Sequence, residues 1–247
     1  MISSLTIVRY PKWMGWAGFL SMALFRLPLW LNKNISFWKL LGSGRNGTFD
    51  IRPDWHQWAV LQVCSGEAEV RSQHTTSNPK PAYRTGRLQS PNFLTSWWKF
   101  FRCEIWVLVL EPIEGHGTWD GKPCFGDLPK QTDYEGLIGV LTRATIRVSK
   151  LRNFWKNVDS VANQMAGAGG FITSLGIGEI PLIKQATFSI WESKACMKQF
   201  AYQMHEHAEV IRKTRKEDWY SEEMFVRFRI VSSSGTNRGK NPLERKL

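Results

Sequence analysis

Cysteine is sparse and scattered in this chain. Its four residues, Cys64, Cys103, Cys124 and Cys196, form no CxxC pair, so they read as buried thiols of a reducing compartment rather than as a disulfide frame or a zinc site. Nucleotide-binding glycine patterns are missing as well. GAGGF (167–171) and LGIGEI (175–180) contain glycines, but neither gives G-x-G-x-x-G between strand and helix, and no Walker lysine follows. The GIG stretch precedes a strand, where glycine serves close backbone approach or a bulge. No GxSxG occurs, and no Asp/Glu pair is framed by a pocket pattern. There is no uninterrupted apolar run either. WMGWAGFLSMALFRLPLWL (13–31) is broken by Arg26 and Pro28, too broken to span a membrane. Its SMA (21–23) has the small residues of a signal-peptidase site, yet the repeat described below gives the segment a structural place. The chain is therefore expected to be a mature, cytoplasmic protein.

Charge and aromatics are what the sequence has in quantity. Lys and Arg outnumber Asp and Glu by 33 to 21, a net charge of +12. That excess suits nucleic acid, anionic lipid or the acidic edge of a cofactor. With no zinc knuckle, RNP-type run or helix-turn-helix pattern, and with the aromatics set in apolar runs, nucleic acid is not expected as a partner. Part of the excess lies in RGKNPLERKL (238–247), read as a frayed, solvated tail. Thirteen tryptophans can fill a core, or line a pocket for a large flat or long apolar molecule. A length of 247 residues, 43% of them hydrophobic, suffices for one large domain or two small ones sharing a core.

The chain repeats itself. FWKLLGSG (37–44) matches FITSLGIG (171–178), and each is followed by an alternating apolar stretch, WAVLQVCSGEAE (58–69) and QATFSIWESKAC (185–196). Upstream, SLTIVRY (4–10) with a helix over 13–26 corresponds to VLTRATIRV (140–148) with LRNFWKNVDSVANQM (151–165). Downstream, WWKFFRCEIWVLVLEP (97–112) corresponds to MFVRFRIVSS (224–233). Each unit reads strand, helix, strand, strand, helix, strand, the ferredoxin-like order. A sheet covered on one face must bury the other, so the fold class expected is α+β, with tandem ferredoxin-like repeats closing into a pseudo-symmetric α+β barrel. The divisions are a first half over 1–112, a linker over 113–136, a second half over 137–233 carrying the site, and a basic tail over 234–247.

The halves differ in their second helix. In the second half it is long, ESKACMKQFAYQMHEHAEVIRKTRKEDW (192–219), whereas its counterpart after 67–78 dissolves into PKPAYRTGRLQSPN (79–92). Loss of one helix is expected to open one end of the barrel, leaving a single site in the C-terminal half. The surviving helix carries His205 and His207. At roughly 100° per residue, His207 lies about 70° from the centre of the stripe formed by Met197, Phe200, Met204 and Ile211, and His205 about 90° to its other side. Both can be solvated boundary residues. A shared zinc is disfavoured, because residues two apart on a helix diverge. An axial ligand to haem iron needs one imidazole, an apolar cavity and cations for the propionates. Arg143, Arg147, Lys184 and Arg212 are the candidate cations.

FWKLLGSG (37–44), VLTRATIRVSKLRNFW (140–155), GIGEIPLIKQATFSIWES (176–193) and HAEVIRKTRKEDWYSEEMFVRF (207–228) resemble the spheroidene monooxygenase family, acyclic-carotenoid 2-ketolases, over nearly the whole chain and most closely over 137–231. The resemblance implies a haem-containing enzyme that uses O2 to introduce a keto group at C-2 of a spheroidene-like carotenoid. Two successive hydroxylations give a gem-diol that loses water, and an electron donor such as ferredoxin supplies the electrons. It favours His207 as the iron ligand, with His205 as the alternative, and draws Gly176, Gly178 and Trp191 into the cofactor pocket beside Arg147, Lys184 and Arg212. Arg143, with Arg227 behind it, is expected to meet bound O2 on the open side of the iron. The alternative function is a non-enzymatic haem-binding or haem-trafficking protein on the same barrel. Because carotenoids dissolve in bilayers, peripheral contact with the inner face of the membrane is expected through 12–30, with Trp13, Trp16 and Trp30 exposed.

Overall fold

Period-two alternation folds into eight antiparallel strands. The computed structural model describes residues 1–45, 50, 52–64, 91–206, 219–244 and 246–247, and of these all side chains but those of 157–163 and 203–206. The first half runs β1 (Ile2–Arg9), α1 (Gly15–Leu24), α2 (Arg26–Leu31), β2 (Ile35–Gly44), β3 (Pro53–Cys64), α3 (Asn92–Phe100) and β4 (Glu104–Gly117). The second runs β5 (Ile138–Ile146), a short 3-10 turn, α4 (Leu151–Ala166), β6 (Phe171–Ile180), β7 (Lys184–Trp191), α5 (Lys194–Glu206) and β8 (Tyr220–Gly235).

The strands close in the order β1-β3-β2-β6-β7-β5-β8-β4. Within each half the order is fourth, first, third, second, the ferredoxin-like sheet, and the two sheets join at two seams. One seam is the long β4–β8 ladder. The other is short and is made by the repeated Leu-Gly-x-Gly stretches themselves, with Gly42 opposite Gly178 and Ser43 opposite Ile177. Ser43 Oγ donates to the carbonyl of Gly176 across it, at 3.0 Å. An eight-stranded barrel is just wide enough for its own side chains to fill. Leu5, Leu61, Trp106, Leu108, Phe188 and Phe228 are all buried in that interior. The thiols are buried or half-buried, and burial pushes those of Cys103 and Cys124 up to about 12, so both stay protonated near neutral pH.

Several expectations are corrected. The helix expected over 13–26 is two helices, α1 and α2, broken at Phe25. Pro28 cannot donate to the carbonyl of Leu24 and its ring crowds it. The first half has not lost its second helix: α3 occupies 92–100. Leu94, Trp97, Trp98 and Phe101 recur at helical spacing and turn towards the sheet, so WWKF belongs to a helix and the strand starts only at Glu104. The expected decay over 67–90 lies outside the described residues. The linker boundary at 112 falls inside β4, which runs on to Gly117. Pro112 is tolerated there because pairing with β1 ends at Leu110, so β4 has lost one neighbour. Trp119 and Phe125 from the presumed linker enter the barrel core. Nor is the tail frayed. Leu243 is buried in that core, held by Asn241 Oδ1, which accepts from Ser233 Oγ at 2.8 Å and from the Leu243 N–H at 3.0 Å.

Candidate active site

The outer faces of the two sheets are built from opposite kinds of residue. On the first, Val8, Trp58, Val60, Trp38 and Leu40 pack under α1, α2 and α3 into a continuous aromatic and aliphatic layer. On the second, the strand register sorts the outward side chains into rows. Ile138, Trp191 and Phe171 form one row, covered by Met197 and Phe200 of α5. The Trp191 ring lies 5.3 Å from both Phe171 and Phe200. Two rows along, Thr142, Thr187 and Gly176 stand side by side, followed by Ala144, Gln185 and Gly178. These side chains are short, and Thr142 is exposed although β5 lies mid-sheet between β7 and β8. Thr142 is thus bare on its outer face, beside the part of the sheet that α5 covers, and this open stretch of sheet is the candidate cleft.

Charge is placed at the edge of this cleft. Glu114 of β4, buried, accepts from Lys194 Nζ at 2.8 Å and from Arg227. The Thr132 N–H and hydroxyl add donors at 2.8 and 3.1 Å. Burial alone would raise the Glu114 pKa, but the Lys194, Arg227 and Thr132 hydrogen bonds outweigh it and hold the carboxyl at about 2. Arg227 lies over the Phe225 ring, 4.7 Å from its centroid, and the His116 ring stacks against Phe225 with centroids 5.8 Å apart. The Nε of Arg227 is buried and has no hydrogen-bond partner among the described residues.

Arg143 faces the other way. Its side chain enters the barrel interior, where it pairs with Glu222, lies 3.7 Å from Asp120 and 3.8 Å from Glu179, and stacks 5.5 Å from the Trp119 centroid. Lys39 bonds Asp120 and Glu179, and Lys184 bonds Asp120 at 2.6 Å. Three cations thus meet three carboxylates at one end of the barrel interior, where Asp120 reaches solvent. Burial raises the Asp120 pKa, but Lys184 and Lys39 overcome it and keep it at about 2.

The expected site residues accordingly separate into groups. Gly176, Gly178, Trp191 and Arg227 share the outer face of the second sheet, the face on which α5 packs. Arg147 is exposed just past the end of β5. Arg143 and Lys184 belong to the interior network, on the opposite face of the sheet from α5, so the structure does not bring them to the cleft. His205 falls in the last turn of α5, while His207 and Arg212 lie outside the described residues. Glu114, Lys194, Thr142 and Thr187 were not singled out from sequence; strand register is the signal that finds Glu114, Thr142 and Thr187, and Lys194 of α5 is found by its bond to Glu114. Among the described residues no group of three His, Cys, Asp or Glu could hold a metal ion. An iron held by one imidazole needs no such group.

No family model matches the chain. Full-length similarity decides the matter. The spheroidene monooxygenase of Rhodobacter capsulatus is 33% identical over 250 residues, covering 100% of this chain and 97% of that one. The chain belongs to the spheroidene monooxygenase family. It is thus an enzyme of the monooxygenase class. The Cereibacter sphaeroides member is 32% identical over 84% of this chain and 59% of its own length. The Rubrivivax gelatinosus member is 31% identical over 83% and 72%. Among solved structures, an aldoxime dehydratase crystallised with butyraldoxime superposes with a TM-score of 0.56 at 7% identity, over 93% of this chain and 79% of that one. That likeness concerns the fold alone.

Proposed function

We propose that this spheroidene monooxygenase homologue is a haem-dependent carotenoid 2-ketolase. It introduces a keto group at C-2 of an acyclic, spheroidene-like carotenoid by two O2-dependent hydroxylations at the same carbon, and the resulting gem-diol loses water. The observation that carries the reading is the row of short side chains at Thr142, Thr187 and Gly176, open to the outside at Thr142, on the sheet face that the histidine-bearing α5 covers.

These residues fit a flat macrocycle. Short side chains leave room for a planar ring against the sheet, the Trp191, Phe171 and Phe200 rings give it an apolar wall, and Arg147 and Arg212 are cations suited to propionates. His207 is the proposed iron ligand, with His205 as the alternative. When bound, the haem supplies an iron that binds and activates O2, and a donor such as ferredoxin supplies the electrons. The chain's own residues set the conditions. The aromatic wall excludes water and holds the polyene by its apolar surface, and Glu114 fixes the Arg227 guanidinium at the cleft edge. From there the partly exposed guanidinium presents a cation to the cleft. This gives Arg227, rather than the interior Arg143, the role of polar group on the open side.

The test is expression with a haem supply, followed by an absorbance spectrum and turnover of an acyclic carotenoid with O2 and reduced ferredoxin. His207→Ala should remove the Soret band and leave the circular dichroism spectrum unchanged, while His205→Ala keeps the band. The reverse outcome moves the ligand to His205. A parent protein without a Soret band sinks the haem reading, and a band without turnover makes the protein a haem carrier.

A further inference from the structure

Exposed apolar side chains are concentrated on one side of the molecule. Of the seventeen large hydrophobic residues exposed among the described residues, ten lie within 13–31 and 93–100, on and beside α1, α2 and α3. Trp13 is 74% exposed, Trp30 73% and Phe100 80%. These helices form one surface rather than three, since Trp16 meets Phe101 edge-on at 5.8 Å, and Phe25 meets Phe93 at 6.1 Å and Trp97 at 6.0 Å. A contiguous apolar patch of this kind marks an interaction site.

Charge identifies the partner. Lys12, Arg26, Lys33, Lys99 and Arg102 are all exposed around the patch. The first carboxylate in the sequence is Asp50, and the α3 segment 91–103 has none. Exposed tryptophans ringed by cations, with no acid on α1, α2 or α3, match the boundary of an anionic bilayer, where indoles sit at headgroup depth and Lys and Arg meet lipid phosphates. A second copy of the chain is a poor occupant, because pairing this face with itself doubles its positive charge and offers no carboxylate. Among the described residues no helix is long and apolar enough to cross a membrane.

We infer that the α1–α2–α3 face docks flat on an anionic lipid bilayer without crossing it. The strands beneath it, β1 and β3, lie across the barrel from β5 and β7. The docked face is therefore on the far side from the cleft: it anchors the protein and leaves the cleft open. The inference stands whatever the cleft holds.

Flotation of the full chain with vesicles of phosphatidylcholine, with and without phosphatidylglycerol, tests it. The protein should float with the anionic vesicles at low salt, less at high salt, and weakly with the neutral ones. Arg26→Glu/Lys33→Glu/Lys99→Glu should cut partitioning by more than about tenfold, given roughly fivefold per cation at such a surface. Trp13→Ala/Trp30→Ala should weaken binding at both salt concentrations while circular dichroism stays unchanged. No flotation with anionic vesicles at low salt overturns the inference, as do folded variants that float like the parent. So does sedimentation as a dimer that Trp30→Ala dissociates, which would make the face a protein interface.

Discussion

Replacing Glu114 by glutamine tests the electrostatics at the cleft edge. The carboxylate side chain is 1% exposed and the Lys194 side chain 5%. Glutamine keeps the shape but leaves Lys194 and Arg227 without an anion. In the folded protein the carboxyl is held at about 2 against an ordinary 4.5, because the Lys194, Arg227 and Thr132 hydrogen bonds outweigh burial. At about 1.4 kcal/mol per pH unit, that difference contributes roughly 3 kcal/mol of stability. Removing one partner of a buried ion pair costs a comparable ~3–5 kcal/mol. Since the folded pKa is depressed, the contribution is fully present above the unfolded value near 4.5 and is lost as pH falls towards 2. Urea unfolding of parent and Glu114→Gln should therefore show a gap of about 3 kcal/mol at neutral pH that narrows through this acid window. A gap under about 1 kcal/mol, or one that does not change with pH, would refute the reasoning.

Two further substitutions separate the cleft from the barrel interior. Thr142→Trp places a large ring on the bare floor of β5, in a residue type suited to strands; it should leave the melting temperature within a few degrees of the parent and block haem uptake in a Soret titration. Undiminished uptake would mean that the ligand lies elsewhere. Arg143→Leu should act on stability, at about 3 kcal/mol, because Glu222 and Glu179 lose a buried partner. Normal stability with abolished turnover would instead return Arg143 to the chemistry.

What could be read in advance followed from periodicity. Alternation in SLTIVRY and QATFSIW is steep enough to announce strands, and two Leu-Gly-x-Gly stretches at matching places in two units announce a duplication. Glycine is needed there because the two copies meet each other, Gly42 against Gly178, where the sheets close. What escaped was either ambiguous in period or dependent on register. WWKFFRC is apolar enough to look like a strand, and only the spacing of Trp97, Trp98 and Phe101 from Leu94 before it reveals the helical stripe. In VLTRATI both parities carry aliphatics, so nothing in the string says that Arg143 points inward with Leu141 and Thr142 points outward. The buried end of the tail rests on one leucine in a basic segment, Leu243, and composition cannot weigh a single residue.

The duplication also explains why the cleft lies where it does. A closed barrel of two such sheets has one interior and two outer faces, and the interior is spent on packing and on the ion-pair network of Arg143, Lys39 and Lys184. Ligand space must then come from an outer face. Ligand space opens where the side chains on the sheet are short and no large side chain fills in above them, and the pattern of short residues at Thr142, Thr187, Gly176 and Ala144 occurs in the second half alone. At the matching layer of the first half Gly42 corresponds to Gly176, but Val8 and Trp58 stand where the second half has Thr142 and Thr187, and they fill the space beneath the helices. The difference between the two copies thus leaves room for two tasks on one scaffold: the proposed cleft for a planar or extended ligand on one side, and an apolar, basic helical surface on the opposite side.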